Sequence, residues 1–156
     1  MNVSEICTYE VVWAGPEVTI LEASRLMREE HVGCIVVAKT VGEQPQPIGL
    51  VTDRDIVVSV LAAGLDPAVF TLGDVAGAAL ITVQETDDVF TAVRRMRSKG
   101  VRRLPVVDED GVLRGIFTLD DFVELISEEL RDATEIIDRE QTREAKTRLA
   151  IGGSAR

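Results

Sequence analysis

The sequence of 156 residues has few aromatic side chains and only two cysteines, Cys7 and Cys34. Aromatic residues make up 4% of the chain, whereas apolar residues of all kinds make up 46%. A folded core must therefore be built from aliphatic side chains. The two cysteines have none of the spacings that mark metal-binding or redox motifs, so those classes of protein are not indicated.

The sequence also lacks long apolar runs and a positive net charge. No segment approaches the roughly 20 apolar residues that cross a bilayer. The first ten residues contain two glutamates and do not resemble a signal peptide. The net charge is −10, whereas broad contact with nucleic acid or anionic membrane needs a positive face. We therefore expect a soluble, cytoplasmic protein that binds neither nucleic acid nor membrane.

An internal repeat is the main feature that the sequence does contain. Displaced by 69 positions, residues 3–37 align with residues 72–106 without a gap, and the alignment resumes further on at a displacement of 66. The loop that changes length, Lys39–Pro47, contains two prolines and is predicted to be a surface turn. The matching positions include the pairs Ala23/Ala92, Met27/Met96, Gly49/Gly115, Thr52/Thr118 and Asp55/Asp121. The chain is therefore two copies of one unit.

Each repeat has the predicted element order β-α-β-β-α. Apolar residues recur at intervals of three and four over Ile20–Glu30 and Val89–Lys99, as they do on one face of a helix. The predicted strands are Val11–Ala14, Cys34–Ala38 and Ile48–Val51 in the first repeat, and Leu80–Val83, Leu104–Val107 and Val112–Phe117 in the second. One unit of about 60 residues would be marginally stable alone. We therefore expect a mixed α+β fold in which residues 1–66 and 67–127 pack as a pseudo-twofold pair.

A carboxy-terminal extension, residues 128–156, follows the second repeat. No glycine or proline interrupts Leu119–Ile151, which is predicted to be one long helix ending in a flexible tail. Its apolar stripe consists of Phe122, Ile126, Leu130, Ala133 and Ile137. The stripe fits a dimer contact, a lid on the pair or a docking face for an effector protein, and the sequence does not choose among them.

Three segments resemble the CBS domain family, whose domains occur as tandem pairs. They are Gly49–Asp55, Gly115–Asp121 and Val101–Asp108, and the resemblance extends from about Val3 to about Ser127. It implies a compact pair with clefts between its halves that bind AMP, ADP, ATP or S-adenosylmethionine. It also implies further association into dimers.

The resemblance assigns roles to Thr52, Asp55, Thr118 and Asp121. The aspartates would hold ribose hydroxyls, as acidic residues do in dinucleotide folds, and the threonines would lie near phosphates. Phosphate suits such a position because a helix N-terminus has free N–H groups and a partial positive charge. The same Thr-x-x-Asp spacing also forms a capping box, and a cap could hold the carboxylate ready for ligand.

Charge distinguishes the two predicted sites. The resemblance places Arg102 and Arg103 against phosphate, which suits the forked hydrogen bonds of guanidinium. The first repeat has the uncharged Gly33–Cys34 at the corresponding positions. Arg54 could contact phosphate across the cleft, or it could pair with Asp53 or Asp120 on the surface. We expect a weaker site around Asp55 and a competent site centred on Asp121, Thr118 and Arg103.

Four further residues are candidates for binding a ligand or a metal. Trp13 and Thr82 lie in the first strands, whose backbone would frame adenine by the resemblance, although Trp13 also suits half-buried packing. His31 and Cys34 alone are too few ligands for a metal site.

These features favour a non-catalytic sensor of an adenosine-type nucleotide, which needs no cofactor and signals through a homodimer or an effector protein. An enzyme is disfavoured because the only histidine lies outside the motifs, and because nucleophile elbow, P-loop and metal-ligand cluster are absent. The alternative is a ligand-free scaffold that acts through homodimerisation.

Overall fold

The computed structural model describes residues 1–77 and 79–153, with side chains up to residue 148. The chain divides into two compact units, Met1–Leu119 and a second unit that begins at Asp120.

The elements follow the predicted order. The first repeat contains a 3₁₀ helix (Val3–Glu5), β1 (Trp13–Ala14), α1 (Ile20–Glu30), β2 (Cys34–Val41), β3 (Gln44–Thr52) and α2 (Asp53–Asp55), which continues as a π-helical segment (Ile56–Leu61). The second contains α3 (Leu72–Val75), β4 (Val83–Gln84), α4 (Val89–Lys99), β5 (Arg103–Val107), β6 (Leu113–Thr118) and α5 (Leu119–Gly153). The mixed α+β fold, both amphipathic helices and the long last helix are confirmed.

Two three-stranded sheets, β1-β2-β3 and β4-β5-β6, have the same topology, with one parallel and one antiparallel pair each. Cys34 lies opposite Thr52 in the first sheet, and Arg103 lies opposite Thr118 in the second. These partners are related by the displacements of 69 and 66 found in the sequence. An irregularity in register also recurs, after Val37 and after Val106. The duplication therefore extends to individual residue pairs.

The prediction of a surface turn over Lys39–Pro47 is wrong. β2 continues to Val41 and β3 begins at Gln44, so most of this segment is a β-hairpin. The turn is only two residues long because Gly42 and Glu43 both have positive φ, +55° and +77°, as a tight hairpin turn requires. Proline is tolerated in β3 because this strand lies at the edge of its sheet.

The two repeats exchange their first helical segments. The backbone N–H of Val3 donates to the carbonyl of Asp87 at 2.9 Å, and that of Leu72 donates to the carbonyl of Val18 at 2.8 Å. These bonds are equivalent under the displacement of 69, and both donors are fully buried. Each segment thus packs on the other repeat, which confirms the pseudo-twofold pair.

Glycine is needed where the exchanged segments approach the sheets. A Cβ atom at Gly49 would lie 2.6 Å from the Cβ of Ala76. At the equivalent Gly115, a Cβ would lie 2.9 Å from the carbonyl oxygen of Thr8. Both distances are shorter than a carbon contact allows. Close packing therefore explains why both repeats have glycine at this position.

The core is mostly aliphatic, as the composition predicts, although the largest fully buried side chain is that of Phe117. One cluster in the first repeat consists of Ile20, Ala23, Met27, Ile35, Val37, Val51, Ile56, Val60 and Leu72. The matching residues Met27 and Met96 are both buried, so the repeat extends to the inner faces of α1 and α4. The first strands are shorter than predicted, since only Trp13–Ala14 and Val83–Gln84 pair regularly. The second of them also lies further along the chain than predicted and shares only Val83 with the predicted Leu80–Val83.

The second unit is the part of α5 that begins at Asp120. Every residue from Ser127 to Arg148 is exposed. Side chains four residues apart form ion pairs, Glu135 with Arg139 at 3.4 Å and Glu144 with Arg148 at 3.5 Å. In the described part of the chain, no helix has the length and apolar character that crossing a membrane requires.

Candidate functional site

A pocket of about 570 Å³ lies between the two repeats, within the first unit. Its size is in the usual range for small-molecule sites. Its polar and charged lining residues are Thr52, Asp53, Arg54, Asp55, Arg102 and Arg103. Its apolar lining consists of Leu50, Ala79, Leu80, Ile81 and Val101. The first repeat supplies the carboxylates, and the second supplies most of the apolar wall.

Asp55 is held in place by a capping box at the start of α2. Its Oδ2 accepts hydrogen bonds from the backbone N–H and the hydroxyl of Thr52, both at 2.8 Å. The Thr52 hydroxyl oxygen accepts in turn from the backbone N–H of Asp55 at 3.2 Å. Among the described residues, no hydrogen bond reaches Oδ1 of Asp55. The cap therefore orients one carboxylate oxygen and leaves the other to accept from a ligand.

The same box occurs at Thr71 and Asp74, away from the pocket. Oδ2 of Asp74 accepts from the backbone N–H and the hydroxyl of Thr71, both at 2.9 Å. These bonds, first that of the backbone N–H, hold the pKa of Asp74 below its ordinary value. The Thr-x-x-Asp pattern by itself therefore indicates only the start of a helix. Asp55 differs from Asp74 in that it lines the pocket.

Two arginines in the pocket, Arg54 and Arg103, have no side-chain partner among the described residues. Arg54 is exposed on α2, and Arg103 is half-buried at the start of β5. Within residues 1–77 and 79–148, neither side chain makes a hydrogen bond or an ion pair, so the pairing of Arg54 with Asp53 is not observed. Arg102 lines the same pocket. Unpaired guanidinium groups suit an anionic group such as phosphate.

Cys34 lies close to these charges. Burial raises the pKa of its thiol, the nearby Arg103 opposes this, and Asp53 adds to it. The thiol is therefore neutral near pH 7 and acts as a small apolar group. No group of three or more His, Cys, Asp or Glu side chains in the described residues could hold a metal ion.

A proline leaves one backbone carbonyl in the pocket without its expected donor. In the first repeat, the N–H of Val36 donates to the carbonyl of Val12 at 3.1 Å. The displacement of 69 makes Pro105 and Ile81 the equivalent pair, and proline has no N–H. Ile81 lines the pocket, and in the described part of the chain its carbonyl accepts no other hydrogen bond. A residue that lines the apolar wall therefore has a backbone acceptor that is not used within the described part of the chain.

The predicted site residues do not all meet. Thr52, Arg54, Asp55, Arg102 and Arg103 share the pocket. The arginines of the second repeat therefore lie with the carboxylate of the first, a grouping that the sequence had not suggested. The sequence analysis also did not predict the apolar wall. Residues that act through their backbone carry no recognisable side-chain pattern.

The other predicted residues lie elsewhere or in another unit. Trp13 is 40% exposed and borders a separate groove beside Lys39. The carbonyl of Thr82 accepts from Arg95 at 2.8 Å. Thr118 ends β6, whereas Asp121 belongs to the second unit. Their predicted site with Arg103 stays a prediction.

Fold and pocket define a tandem-repeat module with a small-molecule cleft between its halves. A family model described as CBS domain matches the chain twice, at residues 3–62 and 72–128. The chain therefore belongs to the CBS domain family, as the sequence motifs predicted.

Relatives and solved structures agree with this assignment. An uncharacterized protein of Methanopyrus kandleri is 37% identical over 125 residues, 80% of this chain and 62% of that protein. This chain thus spans less than two-thirds of that relative. Hypoxic response protein 1 of Mycobacterium tuberculosis is 33% identical over 73% of this chain and 77% of that protein.

A solved structure of hypoxic response protein I, with two coordinated zinc ions, is 31% identical, with a TM-score of 0.68 over 80% of this chain and 98% of that one. A CBS domain protein from Pyrobaculum aerophilum, complexed with AMP, is 30% identical, with a TM-score of 0.69 over 78% of this chain and 89% of that one.

Proposed function

We propose that this chain is a non-catalytic regulatory module that binds an adenosine nucleotide of the AMP, ADP or ATP class between its repeats. One observation carries the proposal: a single pocket combines an oriented carboxylate, unpaired arginines and a free backbone acceptor. The AMP complex of the Pyrobaculum aerophilum protein supports the same ligand class.

Each part of a nucleotide has a counterpart in the pocket. The free Oδ1 of Asp55 would accept from ribose hydroxyls. Arg103 and Arg54 would bind the phosphate. The apolar wall would cover the base, and the carbonyl of Ile81 would accept from the exocyclic amino group of adenine. The nucleotide would be a regulatory ligand, and no catalytic cofactor is required.

Binding of the ligand would change the conformation of the chain or its assembly into a homodimer. That change would in turn be recognised by an effector protein. A ligand shifts such an equilibrium only by its difference in affinity for the two states. Asp55 is the last residue of α2, which continues as the π-helical segment Ile56–Leu61, so the pocket is joined directly to a segment of uncommon helical geometry. Cytoplasmic location and lack of contact with nucleic acid or membrane stay predictions.

The test is calorimetric titration of ligand-free protein with AMP, ADP, ATP and S-adenosylmethionine, repeated on Asp55→Ala and Asp74→Ala. Both variants lose the same capping box, so Asp74→Ala is a matched control for helix stability. We expect Asp55→Ala to weaken nucleotide affinity about 10- to 100-fold, because hydrogen bonds to a charged group contribute roughly 1.5–3 kcal/mol. Asp74→Ala should leave affinity unchanged.

A second arm compares AMP with inosine monophosphate, which has a carbonyl in place of the adenine amino group. Two acceptors would then face each other at Ile81, so we expect at least tenfold weaker binding. Equal affinity for both would contradict the assigned base position. Absence of heat from every nucleotide, in folded protein shown to be ligand-free, would favour the scaffold.

A further inference from the structure

The pocket contains a second carboxylate, that of Asp53, for which the proposed function has no use. Its Oδ1 accepts a hydrogen bond from the backbone N–H of Arg54 at 2.8 Å. Within residues 1–77 and 79–148, its side chain makes no other hydrogen bond and no ion pair. The pocket therefore has a fixed negative charge that no ion pair neutralises.

Gly33 provides the space that this carboxylate occupies. The backbone N–H of Asp53 donates to the carbonyl of Gly33 at 3.0 Å. A Cβ atom at Gly33 would lie 3.3 Å from Oδ2 of Asp53, which is tighter than an ordinary van der Waals contact. The equivalent backbone bond of the second repeat joins the N–H of Leu119 to the carbonyl of Arg102 at 2.9 Å. The first repeat thus has a carboxylate against glycine where the second has an apolar residue and a basic one.

The Asp53 carboxylate lies near the arginine to which we assign the phosphate. Cys34 directly follows Gly33 and pairs with Thr52 in the sheet. Burial raises the pKa of the Cys34 thiol most, Arg103 lowers it, and Asp53 raises it further. Both charges therefore act at the same point. An anion bound by Arg103 would also meet the negative charge of Asp53.

Repulsion by Asp53 grows with the number of phosphates on the ligand. A phosphate monoester has a charge of about −1.5 to −2 near pH 7. The two unpaired guanidinium groups of the pocket, those of Arg54 and Arg103, together match that charge. Each further phosphate makes the ligand more negative, and Asp53 repels the added charge.

We propose that Asp53 determines how many phosphates the pocket accepts, and that it favours AMP over ADP and ATP. This inference rests on the proposed function and narrows its nucleotide class to the monophosphate.

The test is calorimetric titration of the full chain with AMP and with ATP, without divalent cations, at about 0.01 M salt, where the Debye length is about 30 Å. The natural chain is compared with Asp53→Asn and Asp66→Asn. Asparagine keeps the shape of aspartate and an acceptor for the N–H of Arg54. Asp66 is a matched control: it is exposed, its Oδ1 accepts one backbone N–H, that of Ala68 at 2.9 Å, and it does not line the pocket.

We expect the natural chain to bind AMP at least about threefold more tightly than ATP. Asp53→Asn should strengthen binding of AMP about threefold and of ATP about tenfold, because the repulsion is proportional to the charge of the ligand. Asp66→Asn should leave the ratio of the two affinities unchanged. At about 1 M salt, where the Debye length is about 3 Å, the effect of Asp53→Asn should nearly vanish, since Asp53 is exposed to solvent.

Three results would overturn the inference and leave the proposed function standing. They are equal affinity of the natural chain for AMP and ATP, an effect of Asp53→Asn that is the same for both nucleotides or independent of salt, and weaker ATP binding in Asp53→Asn. Absence of binding of both nucleotides would overturn the inference and the proposed function together. The preference of the natural chain is measured without a substitution, so the inference can be tested even if a variant does not fold.

Discussion

The two repeats share strand order, register and the position of a β-irregularity, yet they differ at the pocket. Arg103 occupies the position of Cys34, and Pro105 that of Val36. The first difference adds positive charge to the pocket that Asp55 also lines, and the second leaves the Ile81 carbonyl without a donor among the described residues. The two repeats therefore share one scaffold, whereas single residue differences between them give the pocket the groups to which we assign ligand binding.

The repeats also differ in their last helices. In the first repeat, α2 and the π-helical segment together cover only Asp53–Leu61, whereas α5 of the second covers Leu119–Gly153. The added length has no counterpart in the first repeat.

The largest expected effect tests whether the repeats unfold together. Ile35 and Leu104 are equivalent and fully buried, so Ile35→Ala and Leu104→Ala should each cost about 2–5 kcal/mol of unfolding free energy. Trp13, the only tryptophan, reports on the first repeat. Because the first segments are exchanged, Leu104→Ala should shift the Trp13 fluorescence transition in urea as Ile35→Ala does. A transition insensitive to Leu104→Ala would show that the repeats unfold separately.

A smaller effect is expected from the charge difference at the pocket. Arg103→Ala removes a charged donor and should weaken nucleotide binding about 10- to 100-fold. Cys34→Ala changes the equivalent position of the first repeat and should alter affinity less than about threefold. Calorimetric titration of both variants decides the matter. Equal losses would mean that the asymmetry of charge does not determine binding.

The smallest effect concerns the hairpins. In the second repeat, Oδ1 of Asp108 accepts a hydrogen bond from the backbone N–H of Val112 at 2.9 Å. The other oxygen of Asp108, Oδ2, forms an ion pair with Arg114 at 2.7 Å. These contacts, the Val112 bond first, lower the pKa of Asp108. The equivalent residue in the first repeat is Lys39.

A carboxyl group with a lowered folded pKa stabilises the fold above its unfolded pKa. That contribution is lost as the pH falls from about 4 through the lowered value. Thermal melts between pH 5 and pH 2.5 should therefore show a shallower loss of stability in Asp108→Asn than in the natural chain. The pKa values of Asp74 and Glu22 are also lowered. Both residues are present in the natural chain and in the variant, so their contribution to the pH dependence is the same in both. An unchanged pH slope would exclude a role for Asp108.

Sequence alone determined the features that depend on local order. The duplication, the helices Ile20–Glu30 and Val89–Lys99, and the Thr-x-x-Asp boxes all follow from spacing along the chain. Helical periodicity and capping involve residues three or four positions apart, so they can be recognised without knowing the partner surfaces. Family membership followed from the same motifs.

Only the tertiary structure shows on which repeat each of the first helical segments packs. The segments containing Val3 and Leu72 pack on the opposite repeat, and Arg103 lies in the pocket of Asp55. These contacts join segments about 70 residues apart in the sequence. The same sequence pattern would be found if each segment packed on its own repeat instead, so the sequence cannot distinguish the two arrangements. The hairpin over Lys39–Pro47 was missed for a related reason: an edge strand tolerates proline, and edge position is a property of the whole sheet.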